Sequence, residues 1–256
     1  MPPALREFAY WMTCYRHSWR ASAVISILNP LLFLLGLGLG LGTLVDATGH
    51  APVPGSSYLA FVAPGVLAAS AMQTAFLELS YPVYRALHTG RSYRIAAGSP
   101  LEPGDILAGH LLYVSFRLAT TGATFLAAMA ILGATHTIGS LWTVPAAVLT
   151  GLAFAAPAAA IAVSVRRAAS LNLIFRFVIF PLYMLSGTFF AVTELPGWLR
   201  EIAYVTPLWQ GVDLCRTLSL GTATTESTLV HVGYLGALTI AGIAAAWYRY
   251  RRQLHA

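Results

Sequence analysis

The sequence predicts an all-α membrane protein with six transmembrane helices, an N-terminal amphipathic interface helix and an external re-entrant helical hairpin before the last span. Three observations carry this. The 256 residues are 57% hydrophobic and only 9% charged, against about 25% charged in a soluble domain. The apolar residues fall into runs near the roughly 20 residues a helix needs to cross a bilayer core. The basic residues gather on alternate connections between those runs, as the positive-inside rule requires.

Residues 1–20 come first. Leu5, Phe8, Trp11, Met12, Tyr15 and Trp19 recur at three- and four-residue steps, with Arg6, Glu7, Arg16, His17 and Arg20 on other faces. That pattern predicts a helix lying in the membrane plane. An extension of the first span into the cytosol fits the same residues. The spans follow at 21–45, 58–79, 106–132, 141–165 and 169–190, with a sixth at 228–248 and a short tail at 249–256. The whole chain is expected to be one membrane domain. The first run is too long for the core of a signal peptide and is read as a mature span.

Span one carries Gly36, Gly38, Gly40 and Gly42, two overlapping G-x-x-x-G spacings that predict close helix packing. The connection after span two holds Arg85 and a short element bounded by Gly90 and Gly98. In it, Ser92 is a possible N-cap and Tyr93, Ile95 and Ala96 alternate with Arg91 and Arg94. This suits a helix docked on a soluble partner. An arginine loop on anionic headgroups suits it equally. Pro145 and Pro157 should bend span four, and only a few residues around Arg166 and Arg167 join it to span five.

The segment 180–216 is the most unusual. It starts as a membrane-grade helix, then breaks at Pro181, Ser186-Gly187, Pro196-Gly197 and Pro207 without becoming polar. Backbone broken at bilayer depth must be shielded by protein or line a cavity, and such places handle cargo in transporters. After a Thr193 cap, Leu195, Trp198, Leu199 and Ile202 predict a short amphipathic helix, and 208–220 a second. Two half-helices in the outer face or an amphipathic loop on the outer leaflet would each account for it.

There is no lysine, and Arg6, Arg16, Arg20, Arg85, Arg91, Arg94, Arg166, Arg167, Arg249, Arg251 and Arg252 share one side if there are six spans. Both termini are therefore expected to be cytoplasmic. The net charge of +6 is a topology signal, and nucleic acid is not an expected partner. Cys14 and Cys215 fall on opposite sides and cannot pair.

Chemistry is sparse. His17, His50, His88, His110, His136, His231 and His255 are scattered, with no H-E-x-x-H and no clustered cysteine, so no metal site is indicated. No phosphate-cradling or G-x-S-x-G motif occurs, so no catalytic and no cofactor-binding residues are expected on this chain. Glu78 is the single in-span carboxylate, too little for ion coupling, which points to an energy source on another chain. The in-span bases are Arg117 and Arg176. Arg117 is the better candidate for contact with anionic or sugar-bearing cargo, whereas Arg176 is close enough to the span end to snorkel.

These residues resemble a family, the permease subunits of ABC-2 type (type V) exporters. Within it they are similar to the nodulation lipo-oligosaccharide and daunorubicin-type drug exporter permeases. The resemblance covers essentially the whole chain. It rests on NPLLFLLGLGLGLGTL at 29–44, SYLAFVAPGVLAASAMQTAFLE at 57–78, PGDILAG at 103–109, GLAFA at 151–155, PLYMLSGTFFAVTELPGWL at 181–199 and PLWQGVDLCR at 207–216. Ala191 stands where relatives usually have proline. The resemblance implies a subunit of the bacterial plasma (inner) membrane that dimerises, as a homodimer or heterodimer, among membrane lipids. It also implies an ATP-binding cassette ATPase partner that holds ATP and Mg, with 91–97 as the coupling helix. Arg117, Tyr183, Ser186, Gly187, Phe189, Phe190, Pro196, Trp198 and Leu199 are the expected path or exit residues, although core packing accounts equally well for Tyr183, Phe189, Phe190 and Trp198. A self-sufficient secondary carrier or channel and a membrane-embedded enzyme are the rival classes.

Overall fold

The computed structural model describes residues 2–47, 57–89, 93, 102–135 and 137–254, without the side chains of 18–31 and 39. Every described secondary-structure element is helical. Of the expected coupling residues, Arg91, Ser92, Arg94, Ile95 and Ala96 lie outside the described residues.

Helix α1, Pro3–Leu35, runs through a π-helical turn at Gly36–Gly42 into α2, Thr43–Ala47. The interface helix expected at 1–20 is thus not a separate element, because no glycine or proline interrupts 4–29. Asp46 Oδ1 accepts from the Tyr58 amide at 2.9 Å, and Ser57 Oγ from that of Ala60 at 3.2 Å. Together they cap α3, Tyr58–His88, whose free amides need such acceptors. This helix runs well past the expected end at 79 and carries Arg85 in its last turn.

Helix α4, Pro103–Ile131, begins with Pro103 in its first turn, and Asp105 Oδ2 accepts from the Glu102 amide. A 3-10 turn, Ile138–Trp142, leads into α5, Thr143–Ser164. Pro145 falls in the first turn of α5, where it costs no hydrogen bond, and only Pro157 is interior. Next come α6, Ala168–Ile174, a π turn at Phe175–Ile179, and α7, Phe180–Leu185. Span five therefore ends before the expected 190, because Gly187 turns left-handed at φ +72°. A 3-10 turn at Val192–Glu194 precedes α8, Gly197–Val205, so Pro196 holds the N-cap position expected of Thr193. Thr206 Oγ1 accepts from the Trp209 amide to start α9, Pro207–Leu220, and left-handed Gly221 closes it. Helix α10 is Thr225–Leu254.

Five helical stretches are long and apolar enough to cross a membrane: Tyr58–His88, Pro103–Ile131, Ile138–Ser164, Ala168–Leu185 and Thr225–Gln253. In the first expected span, the described apolar stretch Leu32–Ala47 is shorter than a crossing. Helix α5 is the hub, packed on α3, α4, α9 and α10, while α1 lies along α4. Glycines permit the closest approaches: a Cβ at Gly242 of α10 would lie 2.7 Å from the Pro157 ring, and one at Gly109 would lie 2.5 Å from the Ala4 carbonyl. The stretch Ala168–Leu185 is little buried, and Phe177 of its π turn is 74% accessible. The starts of α1 and α4 and the end of α10 share one end of the bundle, and α8 and α9 cover the other.

Candidate functional site

At the end where α1 and α4 begin and α10 finishes, four helices converge on the pair formed by His110 and Tyr93, the latter 1% exposed. Its hydroxyl lies 2.7 Å from His110 Nδ1, and His110 Nε2 lies 3.2 Å from the Glu78 carbonyl. A carbonyl can only accept, so Nε2 carries the proton and the Tyr93 hydroxyl donates to Nδ1. Trp11 of α1 stacks on the His110 ring at 4.2 Å and donates to Glu7 Oε1 at 2.8 Å. Tyr250 of α10 brings its ring within 6.0 Å of Tyr93. Burial pushes the Tyr93 hydroxyl well above its ordinary range, keeping it a neutral donor.

Two turns along α4 from His110, the Glu78 side chain makes a second contact with that helix. Glu78 Oε1 accepts from Arg117 Nε at 3.1 Å, and the guanidinium sits 4.6 Å over the Tyr15 ring. Arg117, expected to face cargo, is buried and has an internal counter-charge. Its partner was visible as the single in-span carboxylate, and matching the two lone opposite charges of adjacent spans would have found the pair.

The opposite end is built around the break after span five. Ser186 Oγ lies 3.2 Å from Thr206 Oγ1, joining the end of α7 to the start of α9. A Cβ at Gly187 would lie 2.5 Å from Val192, so both its conformation and its surroundings demand glycine. The Gly187 carbonyl accepts from Arg216 Nη2 at 2.7 Å, and Arg216 Nε donates to the Phe61 carbonyl at 3.1 Å. The same guanidinium lies 3.8 Å over the Phe61 ring. Arg216 is thus a buried clamp between α3 and the broken backbone after span five.

Beside this clamp, Tyr183 and Phe189 meet edge to face at 5.2 Å and both contact Phe33. The Phe189 carbonyl accepts from the Tyr58 hydroxyl at 3.0 Å. Phe190 and Leu199 are half-buried, whereas Pro196 and Trp198 are exposed, Trp198 at 71%. Helix α8 turns Trp198, Ile202 and Val205 outward, while α9 buries Leu208, Gly211, Val212 and Cys215 in the bundle. The two helices expected here are both present, and they differ in burial. Gln210 Nε2 donates to the Tyr204 carbonyl at 3.0 Å and turns its Oε1 to His231 Nδ1, while His231 Nε2 lies 3.1 Å from Asp213 Oδ2.

The glycines of span one divide by face. Gly38 and Gly42 pack near Leu59 and Tyr58, while a Cβ at Gly36 or Gly40 would meet nothing within 4 Å. Cys14 is exposed near the terminal end and Cys215 is buried at the other. Among the described residues no three His, Cys, Asp or Glu side chains gather as a metal site would require.

The model of the ABC-2 type transporter family matches residues 8–219. Nodulation protein J of Rhizobium meliloti (strain 1021) is 33% identical over 236 residues, 89% of this chain and 86% of that protein. Its counterpart in Rhizobium leguminosarum bv. viciae is 34% identical over 234 residues, 88% of this chain and 87% of that protein. Nodulation protein J of Bradyrhizobium diazoefficiens is 30% identical over 252 residues, covering 95% and 94%.

Proposed function

Because this chain belongs to the ABC-2 type transporter family, we propose that it is the permease subunit of an exporter driven by a separate ATP-binding cassette ATPase. Cargo on this reading is lipid-linked, glycan-bearing or an amphipathic drug-like molecule. The similarity to nodulation protein J draws it toward lipo-oligosaccharides. The chain binds no cofactor, since ATP and Mg belong to the partner, and it is not itself an enzyme.

Topology follows from charge. Six crossings, with 21–45 as the first, would put every arginine-rich connection and both termini on the cytoplasmic side of the bacterial inner membrane. The 191–227 segment then forms the external re-entrant hairpin, with Tyr183, Phe189 and Phe190 at the exit. Two copies would face each other through the G-x-x-x-G stripe left open by Gly36 and Gly40.

The observation that carries the coupling role is Tyr93. It belongs to the connection that would meet the ATPase, yet its ring is buried and its hydroxyl is tied to His110 and through it to α3. A push on the connection would reach α1, α3, α4 and α10 together through that joint. The test combines Arg94→Glu with Tyr93→Ala. Membrane insertion should persist while ATPase association or transport-coupled ATP hydrolysis is lost. Wild-type association and transport in the double variant would exclude 91–97 as the coupling element.

A further inference from the structure

Arg117, Arg216 and Arg176 differ in how they are satisfied. Arg117 is met by Glu78, and Arg216 by two carbonyls and a ring. Arg176 is exposed, and among the described residues no carboxylate lies within salt-bridge reach of it. It stands eight residues into the fifth span, about 12 Å along the helix at 1.5 Å per residue. A guanidinium there draws an anion or water toward itself, or reaches for the interface, because hydrocarbon does not solvate it.

Its surroundings fit an anion. Asn172, Leu173, Phe175 and Arg176 line a cleft of about 430 Å³ beside α3. Asn172 lies one turn before Arg176, and its Oδ1 accepts from the Tyr81 hydroxyl. That bond spends the amide's oxygen and leaves the Nδ2 hydrogens as donors. The polar side chains lining the cleft thus offer donors and positive charge. Leu173, Phe177 and Phe180 are exposed along the same span, so an acyl chain beside the cleft would meet apolar side chains. The guanidinium sits on the π turn Phe175–Ile179, a helix irregularity that recurs at functional sites.

We infer that the Asn172–Arg176 cleft holds the anionic headgroup of a membrane amphiphile, with a phosphate or sulfate oxygen accepting from the guanidinium and from Asn172 Nδ2. This goes beyond the exporter reading and does not depend on it. The site needs neither ATP nor the ATPase, so its failure would leave that reading untouched.

The test uses the purified full chain in maltoside micelles. It is titrated separately with dioleoyl phosphatidylglycerol and dioleoyl phosphatidylcholine, and bound lipids per chain are counted by native mass spectrometry. One phosphatidylglycerol should bind saturably where phosphatidylcholine does not. Arg176→Gln should weaken it about tenfold, the loss of one charge-assisted contact. Asn172→Asp, which turns a donor into an anion, should weaken it at least as much, and Arg176→Lys should retain most of it. Both positions are exposed, and unchanged unfolding temperatures of the three variants would confirm that folding is intact. Equal binding of the two lipids, or wild-type phosphatidylglycerol binding by both Arg176→Gln and Asn172→Asp, would overturn the inference. Dodecyl phosphate then identifies the source. Displacement of phosphatidylglycerol supports a site for exchangeable amphiphiles, and retention supports a resident bilayer lipid.

Discussion

Replacing Arg216 with methionine should open the segment that follows span five. The arginine makes two charge-assisted bonds, to the carbonyls of Phe61 and Gly187, and stacks over the Phe61 ring. Each bond contributes about 1.5–3 kcal/mol by soluble-protein measures, but polar contacts at membrane depth average about 0.6 and reach about 1.7 kcal/mol. The stacked cation adds about 1–2 kcal/mol when desolvated. Methionine keeps the volume and avoids the guanidinium's desolvation cost, so the net loss is about 2–3 kcal/mol. Cys215, adjacent in sequence and fully buried, reports that opening. In a Cys14→Ser background, maleimide labelling of Cys215 should rise about 30- to 150-fold, at 1.4 kcal/mol per decade. Electrostatics would act the other way. Burial raises the Cys215 thiol to about 12 and the neighbouring Arg216 charge lowers it, so losing that charge alone would slow labelling. A rate within about threefold of wild type would refute the clamp.

Three further outcomes follow from the geometry. Arg117→Met or Glu78→Gln alone should each cost about 3 kcal/mol by leaving a buried partner uncompensated, while the double replacement should recover most of that loss; denaturant titration in micelles measures the cycle. Gly211→Ala would drive a Cβ into the Thr150 side chain and should cost about 1–3 kcal/mol in the same titration. Adding Thr150→Ala should restore much of it, and a lack of rescue would contradict the α5–α9 contact. Burial holds the Glu7 carboxyl above its ordinary range against the smaller opposing pull of the Trp11 bond. The folded state then binds this proton more tightly than the unfolded one, so stability falls as pH rises from the ordinary carboxyl value toward the folded one and then levels. Glu7→Gln should flatten that decline in thermal melts recorded across acidic pH.

Much of the fold was legible in the residues. Hydrophobic runs located the last five spans, and the glycines and prolines of 180–216 marked where helix would fail. The aromatic stripe of 1–20 predicted a helix, but it did not reveal that Phe8, Trp11 and Tyr15 pack on α4. Periodicity assigns a face without saying what covers it. The Glu78–Arg117 pair spans 39 residues and depends on the relative depth and rotation of two helices, which no local pattern records. The role of Arg216 was not legible for a related reason: its acceptors are the carbonyls of Phe61 and Gly187, both distant in sequence. The alternation of Gly36 and Gly40 with Gly38 and Gly42 was plain, but only the packed helices show that the second pair faces α3 and the first faces open space.

The most direct test of the exporter account is purification of the tagged chain from its own membranes in mild detergent, followed by an assay of ATP hydrolysis in the eluate. The account predicts that an ATP-binding cassette subunit co-purifies in stoichiometric amount, hydrolyses ATP, and is lost from the Arg94→Glu, Tyr93→Ala chain. A chain that purifies without any ATPase and, reconstituted alone, moves an amphiphilic solute down an ion gradient would contradict it.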